Sequence, residues 1–132
     1  MFNTNITSED EALSLLNGKF ERIDFYKAKE IDQEAGRFWK RDPVGAYVDR
    51  ILAARNFTEN YKFSNGKINF VSIKYASYSY QKAASNADEL GWNFASIVCR
   101  IRACNLLAKL FNESKIPFFK ESQDYLLKKL AG

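Results

Sequence analysis

The segment from Trp92 to Phe111, WNFASIVCRIRACNLLAKLF, constrains the fold more than any other part of the chain. Placed on a helix at about 100° per residue, its apolar side chains do not keep to one stripe. Phe94, Ile97, Val98, Ile101, Cys104, Ala108 and Phe111 fill one face, and Cys99, Ala103, Leu106, Leu107 and Leu110 cover much of the rest. A helix that is apolar nearly all round needs cover nearly all round. The expectation is a long buried helix near 86–112, the spine of a small domain or of a domain plus its partner.

The flanking signals place the other elements around that spine. Ser8 with Glu11 is a capping box, and Asn17-Gly18 is a stop, so Ala12 to Leu16 reads as a short helix. Lys19 to Lys27 alternates in part and reads as a strand. Ile31, Ala35, Phe38 and Trp39 follow at helical spacing between Ala28 and Lys40. Asp42-Pro43 reads as an N-cap with proline in the first turn, before Val44, Tyr47, Val48, Ile51 and Leu52 at i, i+3, i+4, i+7 and i+8. Asn65-Gly66 suits a two-residue hairpin that would pair Phe63 with Ile68 and Tyr61 with Phe70, leaving Lys62 and Asn69 on the other face. Beyond Phe70 the parity changes. Val71, Ile73 and Tyr75 are odd while Tyr78 and Tyr80 are even, which a strand accommodates only with both faces covered or with a bulge. Ser85 with Asp88 resembles an N-cap, so the long helix begins there or after Gly91 and ends near Asn112, and Ile116-Pro117 precedes a last helix over Phe118 to Leu130. The fold class expected is α+β: a small antiparallel sheet of about three strands, packed by four to five helices in one domain over 1–132.

The chemistry is defined largely by what is missing. The 132 residues contain no histidine, which removes Ser–His and Cys–His nucleophile pairs and histidine-containing zinc sites. No phosphate-binding glycine loop and no EF-hand loop is present. Cys99 and Cys104, on one helix, have an axial offset of about 7.5 Å, beyond the ~7 Å that a disulfide tolerates. They read as free buried thiols of a reducing cytoplasm. Asp42 and Asp49 read as N-cap and surface positions, and Glu30 with Glu34 as a solvated helix face. No cofactor and no metal is expected. Aromatic residues make up 15% of the chain, enough for a core without either. Residues 1–12 lack the pattern of a signal peptide, and no apolar run approaches the ~18 residues of a membrane span, so a cytoplasmic protein without membrane contact is expected.

Three features suit binding. Arg37, Lys40 and Arg41 surround Trp39, the combination that phosphate contact with base stacking requires, though Trp39 also fits a core position. Lys74 to Tyr80 (KYASYSY) alternates Tyr75, Tyr78 and Tyr80 with small residues and suits either a recognition strip or a sheet face beneath a helix. Arg100 and Arg102 stand on the apolar helix and need a carboxylate, phosphate or water; Glu9, Asp10, Glu11, Asp24 and Glu30 are the internal partners expected. Charge is also segregated, with −4 over residues 1–36 and +8 over 37–132, which suits steering of an acidic partner or pairing within the fold. Lys62 and Lys74 extend the basic set.

The order helix 43–56, hairpin 59–80, helix 86–112 is similar to the α-β-β-β-α plan of double-stranded-RNA-binding domains. The chain departs from that family at Lys82, which stands alone in QKAASNADELG where the family places several basic residues. ASIVCRIRACNLLAKL resembles the terminal helix of small phage domains of the ABA-sandwich type. Taken together, the expected protein is a small non-catalytic intracellular one that docks on a protein or nucleoprotein complex, such as an inhibitor or accessory factor from a phage or mobile element. A homodimer is expected because the long helix offers more apolar surface than three strands cover. Direct nucleic-acid binding is the alternative. A histidine-free enzyme is the third reading, and it requires a deep pocket holding convergent carboxylates or a tyrosine–arginine pair.

Overall fold

A computed structural model describes residues 6–59 and 69–132. These form six α-helices and no strand: α1 (Glu9–Ser14), α2 (Phe25–Phe38), α3 (Pro43–Glu59), α4 (Phe70–Glu89), α5 (Asn93–Ser114) and α6 (Pro117–Ala131). The expected α+β fold with its three-stranded sheet is therefore corrected to an all-helical one. The likeness to the α-β-β-β-α plan falls with it. The Asn65-Gly66 turn, with Tyr61, Lys62, Phe63 and Ile68, lies outside the described residues.

Two stretches read as strands have a physical reason not to be. Residues 70–80 belong to α4, whose buried positions Ile73, Ala76, Tyr80, Ala83 and Ala87 recur at intervals of three and four. The parity change after Phe70 is that helical period. The intervening Ser and Ala residues, which looked like spacers, are themselves buried. Residues 19–24 are irregular. Asp24 then ends the stretch by accepting from the Lys27 amide (2.7 Å), which starts α2.

The local signals at the other helix ends act as capping chemistry predicts. Asp42 accepts from the Gly45 amide (2.8 Å), and a Cβ at Gly45 would sit 2.3 Å from the Asp42 carboxylate, so only glycine lets the cap close. Ser8 accepts from Glu11, and Pro117 occupies the first turn of α6. Ser85 and Asp88 do not start the long helix. They lie inside α4, which ends in a Schellman turn. The Trp92 amide donates to Ala87 O (2.8 Å) and Gly91, at φ +74°, donates to Asp88 O (3.1 Å).

From α3 onward successive helices are neighbours, so α3, α4, α5 and α6 each pack on the one before. The short α1 folds back on α5. The most enclosed helix is α3, where every residue from Gly45 to Ala54 is buried. Small residues on facing helices, Ala53 and Ala54 on α3 and Ala76, Ala83 and Ala84 on α4, allow this depth. Fully burying a side chain such as Ile51 or Phe57 contributes roughly 1.5–3 kcal/mol.

Candidate functional site

An exposed apolar stripe emerges from the way α5 is oriented. Its buried positions are Ala95, Ser96, Cys99, Ala103, Cys104, Leu107 and Leu110. Small residues among them let α4 approach closely. The opposite face, expected to be covered, is bare. Phe94 is 69% exposed, Ile97 43% and Ile101 45%. The long buried helix near 86–112 is thus corrected to a helix at 93–114 with one face open, because among the described residues the packing on it comes from α4, α6 and the short α1.

The open stripe has two further properties. Phe94, Ile97, Ile101, Asn105, Ala108 and Asn112 fall within about 80° of arc and carry no charge. Charge is confined to the flanks. Arg100 bonds Asp88 (2.7 Å) and Ser96 on one side, and Arg102 reaches α1 on the other. The stripe is also held firmly at its start. Glu9 accepts from the amides of Phe94 (2.7 Å) and Ala95 (3.1 Å), so a carboxylate caps the N-terminus of α5. Trp92 beside it stands edge-on to Tyr47 at 5.5 Å.

The residues singled out from sequence are dispersed. Arg37, Lys40 and Arg41 are exposed where α2 turns into α3. Trp39 is half-buried among them, with Lys40 Nζ 5.5 Å from its ring centre. The tyrosine strip is corrected by the helical geometry of α4. Tyr80 is buried and lies ~140–160° round the helix from Tyr75 and Tyr78. Tyr75 stacks on Phe57 (5.3 Å) and meets Phe25 (5.7 Å) inside a small aromatic cluster. Tyr78 stays half-exposed with Lys74 Nζ 5.9 Å over its ring. Lys62 lies outside the described residues.

The arginines find partners other than the acids expected. Arg102 donates to Leu16 O (2.7 Å), Asn17 Oδ1 (2.7 Å) and Tyr80 Oη (3.3 Å). Arg55 donates to Leu15 O (2.8 Å) and lies 4.1 Å over the Phe20 ring. Both guanidinium groups thus satisfy carbonyls at the end of α1, where cations are favoured. A tyrosine–arginine pair therefore exists beside an open hollow, with its donors engaged in holding α1.

A cleft of about 140 Å³ opens between the end of α2 and the α3–α4 pair, lined by Trp39, Arg50, Lys82, Ser85, Asn86 and Glu89. Arg50 is 7% exposed and donates Nη1 to Asn86 Oδ1 (2.7 Å). Beneath it Asp32, also buried, accepts from Ser79 Oγ (2.8 Å) and Lys82 Nζ (3.0 Å). Asp49, expected on the surface, is buried, and its Oδ1 has no partner among the described residues. Burial, then the nearby Glu34 carboxylate, pushes it up to about 6. Cys99 and Cys104 are free and buried, and burial pushes the Cys99 thiol up to about 12.

Sequence reasoning missed Arg50 and Asn86 and took the outer stripe of α5 for core. The signal for the stripe was the pairing of small Ala95, Cys99 and Ala103 on one face with uncharged Asn105 and Asn112 on the other. Among the described residues no cluster of three or more His, Cys, Asp or Glu is placed to hold a metal ion. No described helix is long and apolar enough to cross a membrane. Comparison with protein-family models, curated proteins and solved structures finds no match for the chain.

Proposed function

We propose that the protein works by docking, presenting the uncharged outer stripe of α5 to a protein partner without bond-making chemistry of its own. The observation that carries this reading is the exposure of Phe94, Ile97 and Ile101 on one face of a helix capped at its start. With Val98 they occupy i, i+3, i+4 and i+7, the anchor spacing of helix recognition. Depletion of charge is what separates the centre of an interface from ordinary surface. Two buried free thiols favour a reducing compartment, the cytoplasm, for the encounter.

The test is a double substitution, Phe94→Asp with Ile101→Asp. Wild-type chain retains a specific protein from its host, the double variant loses it, and circular dichroism of the two is the same. Equal retention by both chains removes the stripe from function. Loss of a dimer mass on light scattering identifies a second copy as the occupant.

The second reading is nucleic-acid binding, favoured by the exposed Arg37, Lys40 and Arg41 grouped at one corner with Trp39. It predicts a steep fall of affinity with salt on random duplex or single strands. Absence of retention at about 50 mM salt ends it.

A further inference from the structure

The geometry points to the cleft over Arg50 as a binding site for a small ligand bearing an oxyanion, a phosphate or carboxylate group, with Trp39 as a side wall. This site shares no residue with the α5 stripe.

Arg50 is the reason. It is nearly enclosed, at 7% exposed, yet it forms no ion pair among the described residues. Its only hydrogen bond among the described residues is from Nη1 to Asn86, a neutral acceptor. Nε is buried without a partner, and Nη2 has no acceptor among the described residues. Nε is sealed from solvent, so Nη2 is the donor left for a ligand in the cleft. A charge-assisted bond from Nη2 to an oxyanion supplies the acceptor and the counter-charge that the enclosed guanidinium lacks among the described residues. The nearest acid, Asp32, is already engaged by Ser79 and Lys82.

The other lining groups refine the ligand. Lys82 supplies a further donor, since it remains half exposed while bound to Asp32. Glu89 is the opposing charge on the wall. It disfavours a bare polyanion and suits a ligand that carries its oxyanion on a body with donor groups. The volume, about 140 Å³, admits one such group with a small body.

Gly36 gives the decisive test. A Cβ built there lies 3.9 Å from Arg50 Nη2, with no clash. Gly36→Asp therefore places a carboxylate of the chain within reach of the unoccupied donors, while Gly36→Ala adds only a methyl group. The experiment titrates the ¹⁵N-labelled full chain with inorganic phosphate and, separately, with malonate, at constant ionic strength set by chloride. The Gly36 amide, the Trp39 indole and the Asn86 side-chain amide shift together and saturate, while the Trp92 indole stays still. Stronger response to phosphate assigns a phosphoryl ligand, and stronger response to malonate a carboxylate. Gly36→Asp weakens the binding roughly tenfold or more. Gly36→Ala leaves it within about twofold, and Glu89→Gln strengthens it severalfold by removing the like charge. No saturable shift with either anion overturns the assignment, as does wild-type affinity in Gly36→Asp.

Discussion

Helices α3 and α5 look alike in sequence and end in opposite situations. Both are apolar nearly all round. In α3 every residue from Gly45 to Ala54 is buried, because α2 and α4 pack on either side and Tyr47 reaches across to Ala12 O (2.9 Å) and the Trp92 ring. In α5 the small-residue face is buried and the Phe94–Ile101 face is open. All-round apolarity measures a helix's demand for cover and says nothing of what supplies it. For α3 the supplier is the rest of the chain, and for the outer face of α5 no described residue supplies it.

The largest effect that separates the two helices is truncation of an aromatic on each. Phe57 is fully buried, with ring centres of Phe25 at 5.4 Å and Tyr75 at 5.3 Å. Phe57→Ala loses about 3–5 kcal/mol of unfolding free energy in urea. Phe94→Ala, on a ring 69% exposed, changes it by no more than about 0.5 kcal/mol. Comparable losses at the two positions would show that α5 is enclosed in solution and break the comparison.

A smaller effect arises from the enclosure of α3 itself. Asp49 is buried with an oxygen that has no partner among the described residues, and burial pushes its carboxyl up to about 6, well above the usual carboxylate range. The folded chain thus holds the proton more tightly than the unfolded one. The contribution of Asp49 to stability is fully present below about pH 4, is lost as pH rises from about 4 to about 6, and is level above that. The ionised carboxylate costs on the order of 1–3 kcal/mol at pH 7. Asp49→Asn recovers that stability at pH 7, adds little at pH 3, and flattens the profile between. A variant whose profile keeps the wild-type slope assigns the titration to another group.

What was legible in the chain was whatever is decided locally. Asp42-Pro43, Ser8 with Glu11 and Ile116-Pro117 mark helix starts because a cap needs only its own turn. The identity of α4 was not, since Asn-Gly and the tyrosines carry strong β signals while its core face is made of Ala and Ser, which add little to an apolar pattern. The existence of α5 was legible from its composition, whereas its facing was not. Ala95, Cys99 and Ala103 lose to Phe94, Ile97 and Ile101 on hydrophobicity, yet close helix approach selects the smaller set. The cleft over Arg50 was invisible because Trp39, Arg50 and Asn86 meet only after three helices have packed.

The smallest effect is the most discriminating. Ile101 is 45% exposed on the open stripe. Ile101→Lys sends a flexible cation into water and leaves the stability of a lone chain within about 0.5 kcal/mol. A stripe covered by a second copy behaves differently. Wild-type stability would then rise with protein concentration, since association favours the folded state by mass action. Ile101→Lys would remove that rise along with the dimer mass. The melting temperature of wild type at two concentrations a hundredfold apart therefore decides what covers α5. The expected outcome is the same temperature at both, with the stripe left open for a partner of different sequence; a temperature that climbs with concentration makes the chain its own partner.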